Sequence, residues 1–388
     1  MNKVLVTDGR SRASLAIVRS LGKRGIKVTS GEAFVCSSFY SKYTDKKLVY
    51  PAPDKQPDLF LKRIIETIKN DMYDVIIPVR DDANLILSKH KKELSRFTRI
   101  PIADYNTLMK GRDKAQTLKI AMDNDIPCPQ TYFIEDDSDL KEIMNKLKFP
   151  VVIKPHRSSG SRGIKYVQSS EELAQAYSEV KNKYGEAMVQ EFIPQGGAYG
   201  VSMLFNHGEP RAIFAHKRLR EYPNSGGPST LRESVRFPEI EEYATTLLEA
   251  LDWHGVAMVE FRVDQRDGKP KLMEINPRFW GSLQLAISSG VDFPYLLYKM
   301  AMDGDVEPVF EYKTGVKVRW LLLGDILWFL GIQNSNKLKA LPEFLKFRGM
   351  GYDVLSLRDP MPALGAILEG MKSMTLKERR KHAFDRGW

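Results

Sequence analysis

Cysteine is nearly absent. Two residues in 388, Cys36 and Cys128, are too few for a disulfide framework and lack the Cys-x-x-Cys spacing of a metal or redox site, so both read as plain thiols. No apolar run is long enough to span a bilayer, and Met1-Asn2-Lys3 leads straight into a strand-like stretch without the layout of a signal peptide. A cytoplasmic location is the resulting expectation. Internal repeats and low-complexity tracts are missing, as is any persuasive constellation for a catalytic nucleophile. Acid is in deficit: 59 Lys and Arg face 49 Asp and Glu, a formal charge of +10. The basic surplus is spread along the chain without a nucleic-acid-binding motif, so no nucleic-acid partner is expected. A phosphate-handling site and an anionic substrate account for part of it.

What is present is a chain with 43% hydrophobic residues, long enough for two or three domains. Residues 3–7 (KVLVT), 26–29 and 74–79 read as buried strands, with an amphipathic run at 13–21 and a periodic helix at 58–70. The N-terminal part is therefore α/β, a parallel βα domain. Ligands of such sheets gather beyond the carboxyl ends of the strands, which places Arg10, Arg80 and Asp81 as tentative substrate residues.

The stretch GVAMVEFRVDQRDGKPKLMEINPRFWG, residues 255–281, carries the strongest chemical signal. Glu274 and Asn276 are two apart, so in a strand they leave from one face. Glu260 lies in the preceding strand, and the polar stretch 264–270 reads as the connecting turn. The midpoint of Glu260 and Glu274 is Asp267, inside that turn, so near-symmetric pairing sets the two carboxylates opposite each other; a one-residue slip would spoil this. Two carboxylates and an amide oxygen are hard ligands suited to Mg²⁺, which completes its shell with water and phosphate oxygens.

Upstream, VVIKP (151–155) is a short strand ending near Lys154, followed by a Ser/Gly loop with Ser158, Ser159, Gly160 and Gly163, whose small residues let backbone N–H groups approach phosphate oxygens. The loop is no Walker motif, since no Gly-Lys-Ser/Thr closes it before a helix. VQEFIP (189–194) is an apolar strand running into a proline bend, an edge that can offer backbone groups to adenine. Further on, His216, Lys217, Arg218 and Arg220 lead into a Gly/Pro loop. Lys217 and Arg218 are the expected anion-binding and catalytic pair of that run, and His216 is expected to be structural.

Taken in order, Lys114, VVIKP with its Ser/Gly loop, VQEFIP, VEFRVD and MEINPR resemble the ATP-grasp superfamily over roughly residues 1–325. Within it the chain is most similar to carboxylate:amine ligases of the group of the carbamoyl phosphate synthetase large subunit and D-alanine:D-alanine ligase. The resemblance implies an ATP-grasp fold: a parallel βα (pre-ATP-grasp) domain at 1–108, a helix plus lid at 109–187, an α+β catalytic part at 188–325, and a helical basic C-terminal extension at 326–388. It implies ATP and Mg²⁺, with Mn²⁺ as an alternative ion. Lys114 and Lys154 match the phosphate-binding lysines. Gln190, Glu191 and Ile193 match the adenine edge. Glu260, Glu274 and Asn276 match the metal ligands, and Arg278 matches the arginine that steadies the transferred phosphoryl group. The family's acidic ribose contact has no clear counterpart at 195–199.

The activity implied is ATP-dependent joining of a small-molecule carboxylate, activated as an acyl phosphate with release of ADP, to an amine. A small-molecule kinase on the same fold and a non-catalytic nucleotide-binding regulator are the alternatives. The extension, with Trp328, Phe329, Leu341, Phe344, Leu345 and Phe347 among lysines, is expected to pack on the core or on a second subunit, so a homodimer is an option. Peripheral membrane contact is not expected.

Overall fold

The computed structural model describes residues 2–158, 162–223 and 227–375. Its first unit is a parallel sheet of β1 (Lys3–Val6), β2 (Lys27–Glu32), β3 (Lys46–Val49) and β4 (Val75–Ile77), in the order β3-β2-β1-β4. Both faces are covered, which explains the unbroken apolar run of β1. Val4 and Val6 enter the core shared with the rest of the molecule, while Leu5 enters a second cluster with Phe60, Ile64 and Ile76. Ser11 caps the helix Arg12–Gly22 by accepting from the Ala13 N–H, and Pro57 opens the helix Pro57–Asp71 where its missing N–H costs nothing.

The lid is an antiparallel sheet of β5 (Thr131–Phe133), β6 (Val151–Pro155), β7 (Lys165–Val167) and β8 (Ala187–Glu191), ordered β5-β8-β6-β7, with the helix Ser170–Tyr184 packed on it. The sheet thus continues to Glu191, past the boundary expected at 187. Ser169 is the N-cap of that helix but makes no side-chain capping bond.

The third sheet has seven strands: β9 (Gln195–Asn206), β10 (Glu209–Glu221), β11 (Ser229–Ser234), β12 (Gly255–Asp264), β13 (Pro270–Asn276), β14 (Lys317–Arg319) and β15 (Met350–Tyr352). Their order is β13-β12-β9-β10-β11-β14-β15, antiparallel except for the last pair. Two residues, His207 and Gly208, join β9 to β10 with φ of 46° and 78°, the positive values that a tight hairpin of this twist requires. One face of the sheet, through Phe214, Val256 and Met258, shares a core with Val4, Val6, Ile17, Trp280 and Phe293. The other, through Val201, Met203, Ala215, Ala257 and Val259, packs on the helix Pro238–Ala250. The seven-stranded sheet and the N-terminal sheet therefore share one core on this side.

The segment after 325 holds the helices Ile326–Gly331, Asn334–Phe344 and Met361–Thr375, and adds one short strand, β15, which extends the large sheet alongside β14. Carboxylates tie it to the core. Asp353 pairs with Arg12 at 2.8 Å and with the fully buried Arg232. Asp359 takes Arg19 at 2.9 Å and the Ser41 hydroxyl at 2.7 Å. Asp325 takes Arg220 at 2.9 Å, Thr230 at 2.9 Å, and Arg319. Removing one partner from such buried pairs typically costs about 3–5 kcal/mol, because the other charge is left uncompensated.

Candidate active site

The β12–β13 hairpin sets Glu260 opposite Glu274, and it does so by an irregularity. Near the turn Phe261 pairs with Leu272, Arg262 with Lys271 and Val263 with Pro270. Continued unbroken, that register would bring Met273 opposite Glu260. Instead Met273 is an extra residue at a bulge, and Glu274 takes the position. Glu260 follows Val256 and Met258 on the face toward the N-terminal domain, and Ile275, between Glu274 and Asn276, belongs to the opposite core. The Asn276 Nδ2 donates to Glu260 Oε1 at 2.9 Å.

Each carboxylate has a cation from another element. Arg218 on β10 lies 2.5 Å from Glu260, and Lys114, the first residue of the helix Lys114–Asp123, lies 3.1 Å from Glu274. The two acids respond differently. Burial, with the like charge of Glu274, raises the pKa of Glu260 against the pull of Arg218. Burial also opposes ionisation of Glu274, but Lys114, Lys154 and Arg218 together outweigh it and hold its pKa low.

Lys114 also donates to the Ser158 carbonyl at 2.6 Å, and its backbone N–H to the His156 carbonyl at 2.9 Å, which fastens the lid loop to the helix. Lys154 donates to Gln190 Oε1 at 2.6 Å and lies 3.9 Å from the Met273 sulfur. Burial, reinforced by Lys114, lowers its pKa to about 8, although Glu274 acts in the opposite direction. Gln190, expected at the adenine edge through its backbone, uses its side chain to orient Lys154 while donating to Thr131 Oγ1 at 2.8 Å. Glu191 is committed to Gln130 and Arg266. Ile193 is buried, and the peptide groups of Phe192 and Ile193 make no backbone hydrogen bond among the described residues. Gly163 has a φ of 76°, a conformation that favours glycine. Ser159 and Gly160 lie outside the described residues.

Arg278 follows Pro277, where β13 has ended, and its guanidinium is held from three sides. Its Nε lies 3.1 Å from Asp81 Oδ1, Nη2 donates to Asn276 Oδ1 at 3.1 Å, and Nη1 donates to the Phe279 carbonyl at 2.8 Å. Burial works against its charge, but Asp81, Glu274 and Glu260 outweigh this and raise its pKa. Asp81 opens the helix Asp81–Lys89 in the N-terminal domain, so this domain holds a residue just beyond the β12–β13 hairpin. Asn84, one turn on, donates to the Pro277 carbonyl at 2.7 Å. Arg80 sits beside Asp81; burial and the charges of Arg10 and Arg278 lower its pKa, and among the described residues no carboxylate lies within ion-pair distance of it. Arg10 lies 3.6 Å from Glu32.

Lys217 is not brought into this cluster, a correction to its pairing with Arg218. β10 runs unbroken through both residues, so they leave from opposite faces. Lys217 lies over the Tyr199 ring, 5.6 Å from its centroid, beside the outer core. His216 is buried, with Nε2 3.3 Å from the Ser282 hydroxyl, and burial lowers its pKa to about 3. Sequence reasoning missed Asn84, which the three-residue spacing from Asp81 could have suggested. It also missed Arg12, Arg232 and Asp353, for which the sequence holds no local signal. Gly281 is close to Arg12: a Cβ there would lie 2.9 Å from Nη2.

Among the described residues no three His, Cys, Asp or Glu side chains gather around one point. A cation here would thus be held by Glu260, Glu274 and the Asn276 oxygen, with outside oxygens filling its shell, a donor set that fits Mg²⁺. No helix of the described residues is long and apolar enough to cross a membrane.

Comparison with known proteins adds independent support. Residues 183–322 match a family described as ATP-grasp in the biosynthetic pathway with Ter operon, and residues 124–222 match the D-ala D-ala ligase C-terminus family. A D-alanine–D-alanine ligase of Carboxydothermus hydrogenoformans is 30% identical over 215 residues, covering 50% of this chain and 68% of that one. A D-aspartate ligase of Enterococcus faecium is 24% identical over 263 residues, 62% of each chain. The matched part thus spans about three fifths of that relative's length. The biotin carboxylase domain of Hydrogenobacter thermophilus 2-oxoglutarate carboxylase, solved with MgADP and bicarbonate, superposes with a TM-score of 0.67 at 16% identity, over 81% of this chain and 73% of that one. At that identity the likeness concerns the fold.

Proposed function

The chain belongs to the ATP-grasp superfamily, and from that premise we propose that it is an ATP-dependent carboxylate–amine ligase. A carboxylate oxygen of the first substrate attacks the γ-phosphorus of ATP, and the bond from that phosphorus to the β–γ bridging oxygen breaks to release ADP. The amine of the second substrate then adds to the acyl phosphate, loses a proton, and expels inorganic phosphate to leave an amide.

The single observation that carries this reading is the union of the Glu260, Glu274 and Asn276 oxygens with Arg278 under the hold of Asp81. These residues bring hard metal ligands and a phosphoryl-binding guanidinium to one end of one hairpin. Mg²⁺, or Mn²⁺ in its place, would be held by those three oxygens and would neutralise phosphate charge when bound. Lys114 and Lys154 supply cations for the phosphates, Ser158 and Gly163 the flanks of the loop over them, and the peptide groups of Phe192 and Ile193, which make no backbone hydrogen bond among the described residues, an edge for adenine. Arg278 orients the transferred group, since a planar fork holds two oxygens at once. Arg218 balances Glu260 on the reacting side. Arg80, next to Asp81, and Arg10, which acts on Arg80, lie at the strand ends of the N-terminal sheet and present cations to the substrate carboxylate before it attacks. Catalysis in this scheme is positioning and charge balance.

The test is ADP release from Mg·ATP across amino acids, short peptides, polyamines and sugar acids, with mass spectrometry of the product. An amide that needs both an acid and an amine supports the ligase, whereas a stable phosphorylated product formed without an amine supports a kinase. Glu274→Gln should abolish ADP formation while preserving the fold. Undiminished turnover by the folded variant refutes the assignment.

A further inference from the structure

The Asn84 amide is paired on one side only. Its Nδ2 donates to the Pro277 carbonyl at 2.7 Å and so steadies the peptide that leads into Arg278. Its Oδ1 is buried and accepts from no group among the described residues. Trp253, which stands between the helix Pro238–Ala250 and β12, is in the converse position: its indole Nε1 is buried and donates to no group among the described residues. A buried acceptor and a buried donor of this kind are each a net loss unless something pairs them, and folded proteins seldom leave them so.

Both residues line one small cavity, together with Val256, Pro277, Arg278 and Phe279. The space in it open to the centre of a water-sized sphere is about 10 Å³, close to the least that holds one water molecule and far below what an organic ligand needs. Size and chemistry together therefore select the occupant, since a water can accept from the indole N–H and donate to the amide oxygen. We propose that Trp253 and Asn84 share one buried water, and that this bridge makes them positioning residues for Arg278. An amide held at both ends cannot swing away from Pro277 without giving up two bonds, so the Pro277–Arg278 peptide keeps its place and the guanidinium its reach to Asp81 at 3.1 Å. The consequence for turnover rests on the ligase reading; the water does not.

Crystallography of the full chain, at a resolution that shows ordered water, tests this with Trp253→Phe and Asn84→Ala alongside. In the unmodified protein one peak should lie within hydrogen-bond distance of both Trp253 Nε1 and Asn84 Oδ1. Either substitution should remove the peak and let Arg278 drift beyond ion-pair distance of Asp81. Each should lower kcat about tenfold, as expected of a displacement under 1 Å, with little change in the dissociation constant for Mg·ATP. The double variant should turn over no more slowly than the slower single one, because the bridge is broken once. No peak in the unmodified protein, or a direct bond between Nε1 and Oδ1, overturns the proposal. So does an unmoved Arg278 in the folded Trp253→Phe protein, a peak that persists in Asn84→Ala should Trp253→Phe not fold, or losses in kcat that simply multiply. If no acid and amine release ADP, the ligase reading falls, while the crystallographic results still decide this one.

Discussion

Arg278→Lys keeps the charge and discards the geometry. The guanidinium reaches three acceptors in three directions, Asp81 at 3.1 Å, Asn276 at 3.1 Å and the Phe279 carbonyl at 2.8 Å, and one ammonium on a flexible stem cannot reproduce that span. The folded protein should lose about 1–3 kcal/mol, because Asp81 and Asn276 keep water access and a nearby cation but lose well-aligned donors. The larger effect is expected on turnover. Loss of one preorganised donor to a reacting oxygen typically reduces kcat by about 10²–10³, whereas Lys114 and Lys154 remain to bind phosphate. The assay is kcat and the dissociation constant for Mg·ATP, measured separately, with Asp81→Asn alongside. Asp81→Asn retains the arginine but removes its anchor in the N-terminal domain, and a drift of about 1 Å costs on the order of a hundredfold in rate. Nucleotide affinity that collapses while saturated turnover stays normal would show Arg278 to be a binding residue. Normal turnover in Asp81→Asn would show that the anchor does not position it.

Burial holds the Lys154 pKa at about 8, and phosphate oxygens favour its charged form, so the pKa must rise on nucleotide binding. Affinity is then full below about pH 8 and falls as pH climbs toward the pKa of the complex, with proton uptake near one per nucleotide at about pH 9. Calorimetry in buffers of different ionisation heat reads that uptake; Lys154→Arg should abolish it, and zero uptake in the unmodified protein contradicts the reasoning. Asp353→Asn should lower unfolding free energy by about 3–5 kcal/mol, since Arg12 and Arg232 lose their shared countercharge. An unchanged urea midpoint would argue against the carboxylate as a structural hub.

The face proposed to hold a metal was legible because it depends on a period of two. Glu274 and Asn276 share a side in any extended strand, and the turn around Asp267 suggested the pairing of Glu260 with Glu274. The pairing holds for a reason the sequence did not show: the register near the turn is off by one residue, and the bulge at Met273 restores it. Lys217 illustrates the converse. A basic run looks like one patch while it is read as a turn, but β10 continues to Glu221 and divides it between two faces. The links from Asp81 to Arg278 and from Asp353 to Arg12 were out of reach, since they join residues 197 and 341 positions apart and follow from how the sheets pack.

Two half-buried acids side by side would ordinarily force one to hold a proton. Here Arg218 and Lys114 meet them at 2.5 and 3.1 Å, so the pair stays close to neutral as a set before any nucleotide arrives. On the proposed reading the arrangement would have a cost, since each cation would have to loosen its grip on a carboxylate that held a metal ion, and a use, since those cations would then be free to meet phosphate. Lys114 would suit that exchange, because its backbone is tied by its N–H to the His156 carbonyl while its ammonium is shared between Glu274 and the Ser158 carbonyl. Movement of its ammonium from Glu274 toward phosphate leaves its backbone in place, so charge is redistributed over a short distance and little structure has to be rebuilt.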